Sequence, residues 1–181
     1  MDALPDTIAE HKAHLPGKLR FVAILVSDLR YNERAQGLPS TDKTLDVVRA
    51  SIRAGGHVLV KTAIVPDDPV MICDFVGRYS VDPALDVIIT CGGTGISPRD
   101  RTVEAVGGMA CRVLPGFGEL FRFLSFQDVG TPALMSRSEA FMFERSAVFC
   151  LPGSPKAVQL ALDRLILPEI GHIIATLRKE E

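Results

Sequence analysis

Residues 87–100, Val-Ile-Ile-Thr-Cys-Gly-Gly-Thr-Gly-Ile-Ser-Pro-Arg-Asp, restrict the fold more than any other part of the chain. The first half is a short run rich in β-branched side chains without polar alternation. That is the pattern of a strand covered on both faces, and such strands belong to parallel sheets flanked by helices. The second half cannot extend the strand. Gly92, Gly93 and Gly95 let the backbone turn tightly and bare its N–H groups, while Thr94 and Ser97 add hydroxyl donors. A loop of this kind can hold an anion, although a glycine turn after a strand also arises for purely steric reasons. Arg99 is a planar cation suited to clamping phosphate, and Asp100 is a hard oxygen ligand suited to Mg²⁺. Asp100 fits equally well as the N-cap of a helix starting near Arg101.

The rest of the chain supplies what such a strand needs. Residues 19–27 read as a first strand, with Ser27 and Asp28 at its carboxyl end, followed by a polar stretch to Ser40. Ligands of open parallel sheets collect at the carboxyl ends of strands, so Ser27 and Asp28 are candidate site residues, and a turn using Asp28 for local hydrogen bonds is the plainer alternative. Residues 41–54 carry Leu45, Val48 and Ile52 at helical spacing and end at Gly55-Gly56. A strand over 57–65 follows, led by His57 in a structural role. Asp68 before Pro69 reads as the N-cap of a helix to about Tyr79, which leaves Asp67 without an evident structural task. From the carboxyl end of its strand Asp67 can face the glycine loop and share a Mg²⁺ with Asp100. Three βα units and a parallel sheet result.

Beyond Arg101 a short helix stops at Gly107-Gly108, and residues 111–114 suit a short edge strand. Seven of the nine phenylalanines lie between Phe117 and Phe149. Over 117–126 the apolar positions surround the helix instead of forming one stripe, so this helix needs cover on more than one side and favours a subunit interface. Residues 138–143 and 146–151 pair as a hairpin through Glu144-Arg145. Ser154 then reads as an N-cap before Pro155, opening a helix over 156–167 that Pro168 interrupts before it resumes over 170–177. Lys156 falls in the first turn, where a cation is disfavoured unless an anion binds that helix end.

A chain of 181 residues is long enough for one well-buried core: an arm over 1–18 and a single domain over 19–181. With 47% hydrophobic and 23% charged residues and a net charge of −2, the composition is that of a soluble globular protein and gives no reason to expect nucleic acid or an anionic membrane as partner. The first 18 residues lack the apolar core of a signal peptide, and no apolar run is long enough to span a bilayer. Cys73, Cys91, Cys111 and Cys150 form no Cys-x-x-Cys pair and read as buried free thiols of a cytoplasmic protein.

Three loops at strand ends, each leading into a helix, together resemble the molybdenum cofactor biosynthesis MoaB/Mog family over about 19–177. The resemblance rests on Gly92-Gly93-Thr94-Gly95 with Arg99-Asp100, on Pro66-Asp67, on Leu151-Pro-Gly-Ser154, and on Pro115-Gly-Phe-Gly-Glu119 leading to Ser136-Arg137. The run from Phe117 through Phe126 to Gly130-Thr131 looks closer to the MoaB branch. The resemblance implies a three-layer α/β/α fold, with a mostly parallel sheet and a β-hairpin in the C-terminal half. It also implies a homotrimer or homohexamer and a cytoplasmic adenylyltransferase. Such an enzyme takes Mg²⁺·ATP and molybdopterin, transfers AMP to the pterin phosphate and hands its product to a molybdenum or tungsten insertase. Carried over residue by residue, Asp67 and Asp100 would be catalytic and hold Mg²⁺. Gly92, Gly93, Thr94, Gly95, Arg99, Gly153 and Ser154 would bind the nucleotide, with Ser136, Arg137, Ser27 and Asp28 on the molybdopterin. Where family members often carry Asp-x-Ser-Gly, this chain has Asp42-Lys43-Thr44-Leu45: Thr44 can replace the serine hydroxyl, but Leu45 cannot replace a glycine that must approach a ligand closely, which would alter the geometry of this loop if it touches the pterin. A pterin carrier that does not turn over ATP is the rival reading from another class.

Overall fold

The computed structural model describes residues 17–179, so the arm over 1–18 falls almost wholly outside it. Among these residues six strands form one sheet in the order β2-β1-β3-β6-β5-β4. β1 (Arg20–Val26), β2 (Val58–Val65), β3 (Val87–Cys91) and β6 (Ala147–Leu151) are parallel neighbours, while β5 (Glu139–Met142) and β4 (Arg112–Val113) complete the sheet antiparallel. Every residue of β3 and β6 is buried, as the unbroken apolar run at 87–91 requires.

Helices cover both faces. On one side α2 (Thr44–Ala54), α5 (Pro115–Val129), α6 (Pro155–Ala161) and α7 (Leu167–Leu177) enclose a core around Phe21, Ile89, Phe121, Phe149 and Leu162. On the other, α3 (Pro69–Ser80) and α4 (Thr102–Gly107) enclose Val22, Ile24, Ile72, Ile88 and Val148. Alternate residues of β1 and β3 therefore serve opposite cores, the three-layer arrangement expected. Burying a side chain such as Phe121 or Phe149 contributes about 1.5–3 kcal/mol, and Phe117 meets Phe149 edge-on at 5.2 Å between ring centres.

Several boundaries follow local chemistry. Asp68 caps α3, accepting from the Val70 and Met71 amides with Pro69 in the first turn. Gly56, at φ +80°, turns the chain out of α2 into β2. His57 is structural: its Nδ1 accepts from the Leu19 amide at 3.2 Å, and burial lowers its pKa despite the opposing pull of Asp86.

Four expectations need correction. The polar stretch after β1 contains a helix, α1 (Asp28–Ala35), capped by Ser27; it buries none of its residues, so no apolar stripe betrays it. Pro168 does not break the last helix. A π-helical stretch, Leu162–Ile166, widens the turn just ahead of it, so the chain carries on despite the missing N–H and the bulk of the proline ring. Ser154 stands at the N-cap of α6, but its side chain makes no capping bond. Of the cysteines only Cys91 and Cys150 are buried; Cys73 is half-buried and Cys111 exposed, because β4 is an edge strand of two residues. No helix is long and apolar enough to cross a membrane among the described residues.

Helix α5 keeps the divided character read from its sequence. Phe117 and Phe121 are buried, while Leu120, Phe123 and Phe126 are more than half exposed.

Candidate functional site

The carboxyl ends of β1, β3 and β6 face one side of the molecule, and two hollows open there. The first, about 250 Å³, is lined by Gly93, Thr94, Gly95, Asp100, Met135, Ser136, Pro152 and Gly153. The second, about 310 Å³, lies over Ser27, Leu29, Arg30, Thr41 to Thr44, Gly153 and Pro155. Gly153 borders both. Larger hollows sit beside the Glu144-Arg145 turn and beside α7, but neither has backbone donors of the glycine-loop kind.

The loop after β3 is built to leave its amides open. Gly92, at φ +112°, hydrogen-bonds to Leu151 O and sits so close to β1 that a methyl group would strike the Val26 carbonyl. Gly93, at φ +66°, packs against Thr102 with equally little room. Beyond them, the amides of Gly93, Thr94, Gly95 and Ile96 donate to no protein acceptor among the described residues. Four successive free N–H groups make a concave donor surface, the arrangement that holds anions in phosphate-binding loops.

Asp100 does not cap α4. Arg101 occupies that position without a capping side-chain bond, and Asp100 Oδ2 instead accepts from the Ser97 amide at 2.9 Å, closing the loop on itself. Asp67, which the sequence leaves without a task, has one. Its Oδ2 accepts from the Asp28 amide and its own amide donates to Asp28 Oδ1, both at 3.0 Å. Asp28 Oδ2 pairs in turn with Arg99. Asp67 is thus joined to the glycine-loop side through Asp28 and Arg99, while no direct bond links it to Asp100 and it lines neither hollow. Among the described residues both Asp67 and Asp100 accept through Oδ2 alone, so Oδ1 of each is open to a further ligand.

The residues assigned to the pterin are divided. Ser136 lines the first hollow and Ser27 the second. Arg137 lines a third hollow, with Ile96, Ser97, Pro98, Arg101 and Glu104, that meets the first at Asp100. There its Nε donates to Gly95 O at 2.6 Å and its Nη2 to Asp100 O at 2.7 Å, and Nη1 pairs with Glu104. The pair with Arg137 holds the Glu104 carboxyl below the usual glutamate value. Ser154 and Lys156 line neither hollow.

Sequence reasoning missed the part that Asp42 plays in the local fold. Asp42 accepts from the Thr44 and Leu45 amides and so caps α2, and the Thr44 hydroxyl donates to Gly153 O at 2.9 Å, tying α2 to the ridge between the hollows. The spacing of Asp42 two and three residues before those amides was the available signal. Leu45 crowds nothing in the hollows, because its side chain is buried in the core. No histidine among the described residues lines either hollow. Cys91, next to the loop, and Cys150 are buried, which raises both thiols, Cys150 to about 12, and holds them uncharged. Thiolate chemistry therefore has no support here.

The model of the family described as "Probable molybdopterin binding domain" matches residues 23–172. The chain belongs to this family. A relative in the molybdopterin-binding family, molybdenum cofactor biosynthesis protein B of Bacillus subtilis (strain 168), is 38% identical over 176 residues, covering 97% of this chain and 99% of its own. Among solved structures, a molybdenum cofactor biosynthesis protein B superposes with a TM-score of 0.83 at 38% identity, covering 91% of this chain and 99% of that one. The tungsten cofactor synthesizing protein MoaB from Pyrococcus furiosus gives 0.78 at 34% identity, with 91% and 99% covered.

Proposed function

We propose that the chain serves molybdenum or tungsten cofactor biosynthesis as a molybdopterin adenylyltransferase. The observation that carries this reading is the row of four free amides at 93–96, three of them on residues that line a hollow adjoining another in a molybdopterin-binding fold. In the reaction an oxygen of the pterin phosphate attacks the α-phosphorus of ATP. The bond from that phosphorus to the bridging oxygen breaks, and pyrophosphate leaves with the electron pair. The nucleophile is already an anion, so no side chain need remove a proton. What the protein must supply is placement of two polyanions and neutralisation of their charge.

The amides at 93–96 cradle the polyphosphate, and Arg99 adds a cation once it leaves Asp28. Asp67 and Asp100 offer hard oxygen donors of the kind Mg²⁺ prefers. Mg²⁺ needs only one or two such carboxylates, since water and substrate phosphate complete its shell. Mg²⁺ bound there would neutralise phosphate charge. The exposed face of α5 serves as an interface between copies of the chain, in a trimer or hexamer, and the adenylylated product passes to an insertase.

The test is pyrophosphate release from Mg²⁺·ATP with molybdopterin. Release should require the pterin and fall by at least ~100-fold in Asp100→Ala and in Asp67→Ala. A pterin carrier without turnover is the second reading, favoured by the engagement of Arg99 with Asp28. Bound pterin with no pyrophosphate released would establish that reading and overturn the first.

A further inference from the structure

We propose that Arg137, braced by Glu104, is a positioning residue that orients the amides of the 93–96 loop, and that it does not touch the pterin. The role rests on the phosphate-binding reading of that loop given above.

Residue 137 holds the loop at three points and is itself held at a fourth. Its amide donates to Thr94 O at 2.9 Å, Nε to Gly95 O, Nη2 to Asp100 O, and Nη1 pairs with Glu104 on α4. In a trans peptide the N–H points opposite to the C=O, and no described peptide bond is cis. Drawing the Thr94 and Gly95 carbonyls towards Arg137 therefore turns the N–H groups of Gly95 and Ile96 away from it. Two of the four free amides owe their direction to this one side chain and its backbone. The bond to Asp100 O fixes the backbone from which the Asp100 carboxylate projects.

The neighbouring residues divide the work. Ser136 lines the hollow shared with Gly93, Thr94 and Gly95, while Arg137 lines a neighbouring one with Ile96, Ser97, Pro98 and Glu104, and Asp100 borders both; every guanidinium nitrogen of Arg137 is already committed to the protein. A rigid, planar fork suits this task, since its donors are spread over three nitrogens, whereas those of a lysine ammonium radiate from a single atom. Glu104 keeps the fork from swinging, because Nη1 is held to a helix that the Gly93 carbonyl also anchors through the Thr102 amide.

The test is calorimetric binding of inorganic tripolyphosphate and, separately, of molybdopterin, to wild type, Arg137→Ala, Glu104→Gln and the double variant, well below their melting temperatures. Tripolyphosphate affinity should fall about 10-fold in Arg137→Ala, the size of a lost supporting contact, and by less in Glu104→Gln. The double variant should be no worse than Arg137→Ala, since the two act as one unit, and pterin affinity should stay within twofold throughout. Loss of pterin affinity in Arg137→Ala, with Glu104→Gln like wild type, overturns the positioning role in favour of direct contact. If Arg137→Ala does not fold, Glu104→Gln decides alone, and unchanged tripolyphosphate affinity there overturns the role. Wild-type protein that binds no tripolyphosphate overturns the proposed function itself, an outcome distinct from wild-type binding that neither variant alters.

Discussion

At the amino end of the sheet Asp86 is buried with both oxygens taken, one by the Arg20 amide at 2.6 Å and one by Arg178 at 2.7 Å. At the carboxyl end Asp67 and Asp100 are half-buried, and each keeps an oxygen to spare. Arg178 also donates to Arg145 O and Leu85 O, so the amino-end circuit closes on the protein. Arg99 is largely exposed, and the amides at 93–96 have no protein acceptor among the described residues. The same residue types are thus used to opposite ends. Where polar groups satisfy one another they hold the fold together, and where they are left partly unmatched they are free for a ligand. Substitutions at the amino end should change stability without changing ligand affinity.

The strongest way to break this division is at a place where the glycine loop presses on the sheet. Gly92→Ala puts a methyl group into the Val26 carbonyl at a backbone angle that L-residues avoid, and should cost about 3–5 kcal/mol in urea unfolding. Gly153→Ala meets only Gly92 Cα, at 3.7 Å, and should stay within about 0.5 kcal/mol of wild type. Equal losses in the two would show that the ridge as well as the loop is part of the fold's support.

Arg178→Ala comes next. It leaves the buried Asp86 without its cation and should cost about 3 kcal/mol, a fall in Tm of roughly 6–12 °C. Tripolyphosphate affinity should not move, and a change there would contradict the separation of the two ends.

The smallest effect sharpens the contrast by pH. Burial lowers the pKa of His57, so below the usual value of 6.5 the unfolded chain takes up a proton that the folded protein resists. Stability is therefore lost as pH falls from 6.5 towards the depressed folded value. Protonation would also remove the acceptor that Nδ1 offers the Leu19 amide. His57→Asn keeps an acceptor and removes the titration, so its Tm should fall less than that of wild type between pH 7.5 and 5.5.

The parallel sheet, its hairpin and the covering helices were legible because burial on both faces writes itself into unbroken apolar runs, as at 87–91, and helix faces into the spacing of Leu45, Val48 and Ile52. Capping chemistry was legible at Asp68-Pro69 for the same local reason. What escaped lacked a local signature. Helix α1 buries nothing, and the π turn answers a proline several residues ahead of it in sequence. The bonds from Asp28 to Asp67 span 39 residues, and those from Arg137 to the loop about 40. Hence Asp67 showed no structural task in the sequence, and the bonds from Arg137 to the loop went unseen. Residues of the first hollow were named from the sequence, whereas Asp42 and Thr44 of the second took their places only when α2 met the loop after β6.

Gly153 has a kinetic consequence. Nothing in the fold forbids a side chain there, yet the residue that separates the two hollows presents none. A molecule long enough to lie across it would meet its second set of contacts at an effective concentration fixed by the width of one residue. Two molecules, one in each hollow, would encounter each other at that local concentration too, however dilute both were outside.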